Sequence, residues 1–255
     1  MTKKGERIVY GIHPVVKALQ AEGCSCRKLA IIKGHANLKT KGVLSIAREL
    51  GVHVEILPRD AFQKKYRQLG NNQGVVGYFP AKPVISLDDL IIEAFQADPK
   101  PILTVLDGVQ DPQNLGAIIR SAEVLGLSGL VIPIRRASPL NETVAKCAAG
   151  AVETLPIVCV KNLDNALDKL KEAGFWIVGL DMQGETACDC LDYDIPIVFL
   201  IGGEEKGIRP ILKRKCDFIT AIPMRGTIGS LNVSSASAVV FHEAMRSRRK
   251  KAGKN

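Results

Sequence analysis

Long apolar runs are missing from this chain; residues 195–201 form one of the longest, far short of the roughly 18 residues a membrane span needs. Histidine is scarce, with four in 255 residues, and His13, His35, His53 and His242 all lie outside the glycine-bearing loops described below. A histidine-based triad or a zinc hydrolase therefore has little support. No G-x-S-x-G elbow surrounds Ser230, and there is neither a Walker A loop nor a G-x-G-x-x-G turn, so nucleophilic hydrolysis and dinucleotide binding lack their motifs. Cys24-x-Cys26 and Cys188-x-Cys190 have a spacing atypical of structural zinc, and Cys147 and Cys159 read as small core residues, so no metal is expected. Seven cysteines, an odd number, and the lack of a signal-type apolar segment after residues 1–5 lead us to expect reduced thiols and a cytoplasmic location.

What is present is ordinary in proportion and uneven in placement. Apolar residues make up 46% and charged residues 24%, typical of a globular chain. The net charge of +9 resides in the first third: residues 1–80 hold 14 Lys+Arg against 5 Asp+Glu, whereas residues 81–255 hold 21 of each. Lys28, Arg59, Lys64, Lys65 and Arg67 belong to that excess, which suits a module that attracts a polyanion such as nucleic acid. A second basic run, residues 246–254, reads as a frayed, solvated tail.

The pattern predicts two domains, 1–80 and 101–255, joined by a linker at 81–100 with a short helix around 87–95. In the first, helices after His13-Pro14 and over 43–50 alternate with strands at 29–32, 52–57 and 75–79, the last preceded by the turn Asn71-Asn72-Gln73-Gly74. In the second, continuous apolar runs at 102–106, 129–134, 175–180, 195–201 and 218–222 are separated by helical patterns. Runs without alternation are strands buried on both faces, and their spacing predicts an α/β domain with a parallel sheet covered by helices.

Ligands of such sheets bind beyond the carboxyl ends of the strands, and three segments there carry chemistry. Residues 107–120 place Asp111-Pro112 as an N-cap and first helical residue, with Leu115, Ile118, Ile119, Ala122 and Leu125 as the buried stripe. Gly116 lies one turn before Arg120, clearing space for another backbone or for a ligand under the guanidinium. Residues 199–208 put Gly202-Gly203-Glu204 directly after a buried strand, where glycine allows close approach of a ligand. Residues 221–236 run from a strand through a glycine-bearing loop into a helix beginning near Ser230, with Ser230, Asn232 and Ser234 crowded at its start.

Asn114-x-Gly116-x-x-x-Arg120, Gly202-Gly203-Glu204-x-x-Gly207 and Ile222-Pro223-Met224 with Ser230-Leu231-Asn232-Val233-Ser234, in that order, closely resemble the SpoU (TrmH-type) branch of the SPOUT RNA methyltransferases. Residues 7–79, with Tyr10-Gly11-Ile12-His13-Pro14-Val15 and the Gln73-Gly74 turn, resemble the RNA-binding extension of the group that acts on a 23S rRNA guanosine ribose, a fold like a small ribosomal RNA-binding protein. Residues 146–153 look like that group too. The chain departs from family habit at Thr227-Ile228-Gly229, where serine is common.

The resemblance implies a deep trefoil knot in the C-terminal part of the catalytic domain, a homodimer whose active site is completed across the interface, and S-adenosylmethionine held in the knot. It implies that Gly202, Ile222 and Leu231 hold the cofactor through backbone groups and that Leu180, Gly203 and Met224 line its pocket. It further implies Arg120 as base or hydroxyl activator, with Asn114, Glu204, Ser230 and Asn232 orienting the arginine, the ribose and the loops. The expected activity is 2′-O-methylation of a guanosine in 23S rRNA. The alternatives are a tRNA 2′-O-ribose methyltransferase and a non-catalytic RNA-binding ribosome assembly factor.

Overall fold

Residues 6–21, 25–34, 38–70, 72–80, 85–227 and 229–253 are described by a computed structural model; Cys24, His35, Asn71, Ile228 and Lys254 lie outside the described residues. The chain divides into two units, residues 1–83 with 149–154, and residues 84–148 with 155–255.

In the first unit, β1 (Glu6–Tyr10), α1 (Ile12–Gln20), β2 (Lys28–Ile32), α2 (Leu38–Glu49), β3 (Val54–Leu57), α3 (Arg59–Tyr66) and β4 (Val75–Pro80) follow one another. The sheet order is β1-β4-β2-β3, with β2 and β3 parallel and the other pairs antiparallel. Side chains alternate across a strand, so Leu29, Ile31 and Val75 join Val15, Leu19 and Val43 of α1 and α2 on one face. Ala30 and Val76 meet Phe62 and Tyr66 of α3 on the other. The apolar pattern did not reveal α3, because its two buried residues, Phe62 and Tyr66, are its only large apolar ones. Gln73, at φ 51°, turns its side chain back so that Oε1 accepts from the amide of Ile12 at 2.9 Å, closing the start of α1.

The second unit contains α4 (Leu87–Ala97), β5 (Ile102–Asp107), α5 (Pro112–Val124), β6 (Gly129–Pro133) and α6 (Glu142–Cys147). The short α7 (Ala151–Thr154) counts with the first unit, where Glu153 pairs with Arg7. Then come β7 (Ile157–Val160), α8 (Leu163–Glu172), β8 (Trp176–Leu180), β9 (Thr186–Ala187), β10 (Ile197–Gly202), α9 (Pro210–Lys213), β11 (Phe218–Ala221) and α10 (Val233–Ala252). The seven strands are all parallel, in the order β7-β6-β5-β10-β8-β11-β9. Every residue of β5, β6 and β10 is buried, as the continuous apolar runs require.

The short helix expected around 87–95 is α4, started by a Ser86/Asp89 capping box, and its Leu87, Leu90 and Ala94 are buried in the core of the second unit. Three local expectations change. The last helix starts at Val233 rather than near Ser230, because Asn232 is its cap. The basic C-terminal run is helical to Ala252 rather than frayed. Arg248 donates to the carbonyls of Tyr193 (2.8 Å) and Ile195 (2.9 Å), Arg246 pairs with Glu243 and Lys251 with Asp192. Cys159, read as a core residue, is exposed, because β7 is an edge strand whose residues alternate in burial.

The helix-interior glycine at 116 has a packing cause. A Cβ there would come within 2.5 Å of the Cys147 Cβ and 2.8 Å of the Val144 carbonyl oxygen, so the space serves the α5–α6 crossing and not a ligand. Gly116→Ala is expected to cost about 1–3 kcal/mol through overpacking, despite alanine's better helix propensity. Urea denaturation checks this; a stabilised variant would refute the tight-crossing account.

Candidate active site

Three loops leave the carboxyl edge of the parallel sheet after β5, β10 and β11. Asp111 caps α5, its Oδ1 accepting from the Gln113 amide at 3.0 Å, with Pro112 in the first helical position as the sequence suggested. Asn232 caps α10: its Oδ1 accepts from the Ser234 amide (2.9 Å) and hydroxyl (2.6 Å). With that oxygen committed, the Asn232 amide nitrogen faces outward and donates to Asn114 Oδ1 at 3.0 Å. Asn114 in turn donates from Nδ2 to Glu204 Oε1. An ionised carboxylate only accepts, so one capping interaction sets the orientation of both amides and ties all three loops together.

Beside this relay lies a cleft of about 590 Å³ among the ends of β8, β10 and β11 and the start of α10. Leu180, Gly202, Gly203, Ile222, Met224 and Leu231, the six expected cofactor residues, all line it, together with Glu204, Ser230 and Asn232. A neighbouring cleft of about 720 Å³ over β5 and β10 is lined by Asn114 and shares the Gly203–Gly207 loop with the first. Arg120 lines neither. It is exposed on α5, six residues beyond Asn114, about 9 Å further along the axis and on another side of the helix.

The glycines here answer to the chain's own folding. A Cβ on Gly202 would sit 2.0 Å from the Gly207 carbonyl carbon and 2.3 Å from the Ile208 nitrogen, and one on Gly203 would sit 2.3 Å from the Gly108 oxygen. The ligand approach inferred from sequence is thus not what excludes a side chain at these positions; backbone already fills the space.

Three polar residues escaped the sequence reading. Asp107, buried at the end of β5, accepts from Arg209 through its backbone amide (2.9 Å) and Nε (2.8 Å), tying the loop after β10 to the strand beside it. Asp181 lines the first cleft directly after β8. Burial opposes its ionisation, but the hydrogen bonds from Lys213 (2.8 Å) and the Gln183 amide (2.9 Å) prevail and hold its carboxyl below the usual range. An acidic residue at or just past the end of an apolar run was the available signal for Asp107 and Asp181; nothing local singles out Arg209.

Burial pushes the Cys216 thiol up to about 11, leaving it protonated at neutral pH. Among the described residues no three His, Cys, Asp or Glu side chains are grouped to hold a metal, and no helix is long and apolar enough to cross a membrane. In the first unit, Arg59, Lys64 and Arg67 line a cleft of about 750 Å³ with Asn72 and Gln73. Lys28 and Lys65 are instead paired with Glu55, at 2.8 and 3.1 Å.

Residues 101–242 match the SpoU rRNA methylase family, and residues 8–84 match the RNA 2′-O ribose methyltransferase substrate-binding family. The chain belongs to the SpoU family. It is 36% identical over 249 residues to the 23S rRNA (guanosine-2′-O-)-methyltransferase RlmB of Neisseria meningitidis, covering 95% of this chain and 96% of that protein. Among solved structures it resembles the AdoMet-bound rRNA methyltransferase from Sinorhizobium meliloti (26% identity, TM-score 0.76, 95% of this chain and 88% of that one). The SpoU methyltransferase AviRb from Streptomyces viridochromogenes, solved in complex with AdoMet, shares the fold (24% identity, TM-score 0.80, 97% and 92% covered).

This SpoU protein is an RNA 2′-O-methyltransferase, and its cofactor is S-adenosylmethionine. The cleft suits that molecule. Met182, Met224 and Leu231 line it while 67%, 39% and 43% exposed, apolar surface that a flat base and a methylene chain would cover. Asp181 and Glu204 offer carboxylates to hydroxyl and ammonium groups.

Proposed function

We propose that the protein methylates the ribose 2′-hydroxyl of a guanosine in 23S rRNA, acting as a cytoplasmic homodimer. The observation that carries this reading is the Glu204–Asn114–Asn232 relay on the wall of the cofactor cleft. The basic first unit supports an RNA substrate, and relatives named for 23S rRNA support its class. Residues 1–80 serve as the RNA-binding domain, with the fold of a small ribosomal RNA-binding protein, and residues 101–255 as the catalytic domain. A deep trefoil knot at the C-terminal end belongs to the same reading. Two observations support it: β10 lies between β5 and β8, and the Gly203–Gly207 loop folds back tightly onto Gly202.

When bound, the cofactor supplies an electrophilic methyl group on a sulfonium sulfur. The residues of this chain align the attacking oxygen and assist the loss of its proton. Gly202, Ile222 and Leu231 hold the cofactor from the backbone, and Leu180, Gly203 and Met224 wall its pocket. Glu204, Asn114, Asn232 and Ser230 orient the ribose, and such positioning supplies a large part of the barrier reduction. Arg120 activates the hydroxyl by stabilising negative charge as it develops. Because Arg120 lies outside both clefts of its own subunit, the dimer brings it to the partner's site.

Incubating the protein with tritiated S-adenosylmethionine and, in parallel, in vitro transcribed 23S rRNA or tRNA, then mapping 2′-O-methyl groups, tests the reading. One labelled guanosine in 23S rRNA is the expected result. Label in tRNA alone, or no transfer despite RNA binding, would overturn it in favour of another substrate or a pure binder.

A further inference from the structure

A third cleft of the second unit, of about 250 Å³, lies over the carboxyl ends of β5, β6 and β7, on the side of the sheet away from the cofactor cleft. Arg135, Arg136, Lys161 and Arg209 line it, with Asp107 and Asn162. Its charge is strongly one-sided. Both Asp107 carboxylate oxygens are taken by Arg209, which leaves that pair neutral. Asp164, the acid in the first turn of α8, is committed to Lys215 at 2.9 Å. Arg135, Arg136 and Lys161 are exposed, and among the described residues none is tied by a hydrogen bond or ion pair to an acid.

The local backbone holds these cations in place. Arg136 adopts φ 66°, a conformation that costs a non-glycine residue energy. The loop that carries it is pinned at both ends, by the Ile134 amide on the Val160 carbonyl (2.9 Å) and the Ser138 amide on the Val109 carbonyl (2.9 Å). Lys161 precedes the α8 cap Asn162, so the positive end of that ten-residue helix adds to the same field. Three like charges with no acid to balance them repel one another unless an anion lies between them.

Position names the anion. The third cleft shares Asp107, Arg136 and Arg209 with the cleft lined by Asn114 and Glu204, which shares Gly203–Gly207 with the cofactor cleft. The three form a continuous track along the sheet edge: cofactor, reacting ribose, cationic cleft. We propose that Arg135, Arg136 and Lys161 form a subsite for a backbone phosphate of the substrate RNA next to the target nucleotide. This rests on the RNA methyltransferase reading above and adds a substrate-binding element in the second unit, separate from the basic first unit.

The test compares the full-length wild type with the double variant R135Q/K161Q and with R214Q/K250Q, which removes the same charge from exposed positions outside the three clefts. Methyl transfer by the wild type to a 23S rRNA transcript is measured first; no transfer there overturns the functional reading itself. Given transfer, R135Q/K161Q is expected to raise KM for the RNA about tenfold with kcat within about twofold, as for removal of uniform binding. The slope of log affinity against log salt should become shallower by about 0.7–0.9 for each phosphate that is no longer neutralised. Adenosylhomocysteine affinity should not change. An unchanged KM and salt slope, or the same change in R214Q/K250Q, would overturn the subsite. If tripolyphosphate stabilises the wild type but not R135Q/K161Q while the RNA KM is unaffected, the cleft serves a small soluble anion and the proposal fails.

Discussion

Arg120→Ala is expected to lower kcat for methyl transfer by on the order of 10³-fold, within the range for losing a group that assists proton transfer. Adenosylhomocysteine affinity and thermal stability should stay close to wild type. The separation follows from placement: Arg120 is exposed on α5 and lines neither the cofactor cleft nor the Asn114 cleft. Surface substitutions away from packing or pairing cost within about 0.5 kcal/mol. Single-turnover transfer, calorimetric binding of adenosylhomocysteine and a thermal melt check the three parts. Mixing Arg120→Ala with an inactive Asn232→Ala protein adds a test of the shared site: heterodimers should regain one intact site if the arginine acts across the interface. Full activity of Arg120→Ala alone would remove this residue from the mechanism.

The second large effect is expected from one added methyl group. In Gly202→Ala the new Cβ meets Gly207 and Ile208 backbone at 2.0 and 2.3 Å, and backbone cannot step aside as the tip of a side chain can. Overpacking costs typically 1–3 kcal/mol and occasionally more; a clash with backbone on a fully buried strand belongs at or above the top of that range. The Gly203–Gly207 loop carries Glu204, so cofactor binding should fall along with stability. Gly42→Ala is the matched control. Gly42 lies in α2 with nothing within 4 Å of its would-be Cβ, so alanine there should be neutral or stabilise by about 0.4–1 kcal/mol. Urea denaturation of both variants, with adenosylhomocysteine titration of Gly202→Ala, decides the matter. A Gly202→Ala protein as stable as wild type would mean that the loop has room to move.

The motif residues were legible because each sits at a point where local pattern breaks. Gly202-Gly203-Glu204 ends an unbroken apolar run, Asp111-Pro112 is a helix start, and Asn232 stands among hydroxyls ahead of an apolar helical face. Elements without such a signal were missed. The strand β9 has two residues, β7 alternates as an edge strand, and α3 has few apolar residues. The basic C-terminal run looked unstructured because charge alone carries no periodicity; the carbonyls of Tyr193 and Ile195, 55 and 53 residues away, order Arg248.

The sequence by itself determined the α/β class of fold, the buried strands, the Asp111-Pro112 helix start and the three segments that meet at one sheet edge. These follow from side-chain periodicity and from groups within a few positions of each other, interactions whose geometry the local backbone dictates. Tertiary structure alone decided what those residues do together. Asn114 meets Glu204 across 90 positions and Asn232 across 118. It is the strand order, with β10 between β5 and β8, that brings them within hydrogen-bond reach while leaving Arg120 outside both clefts. Interactions at such separation depend on which strands lie side by side, and no local pattern encodes that.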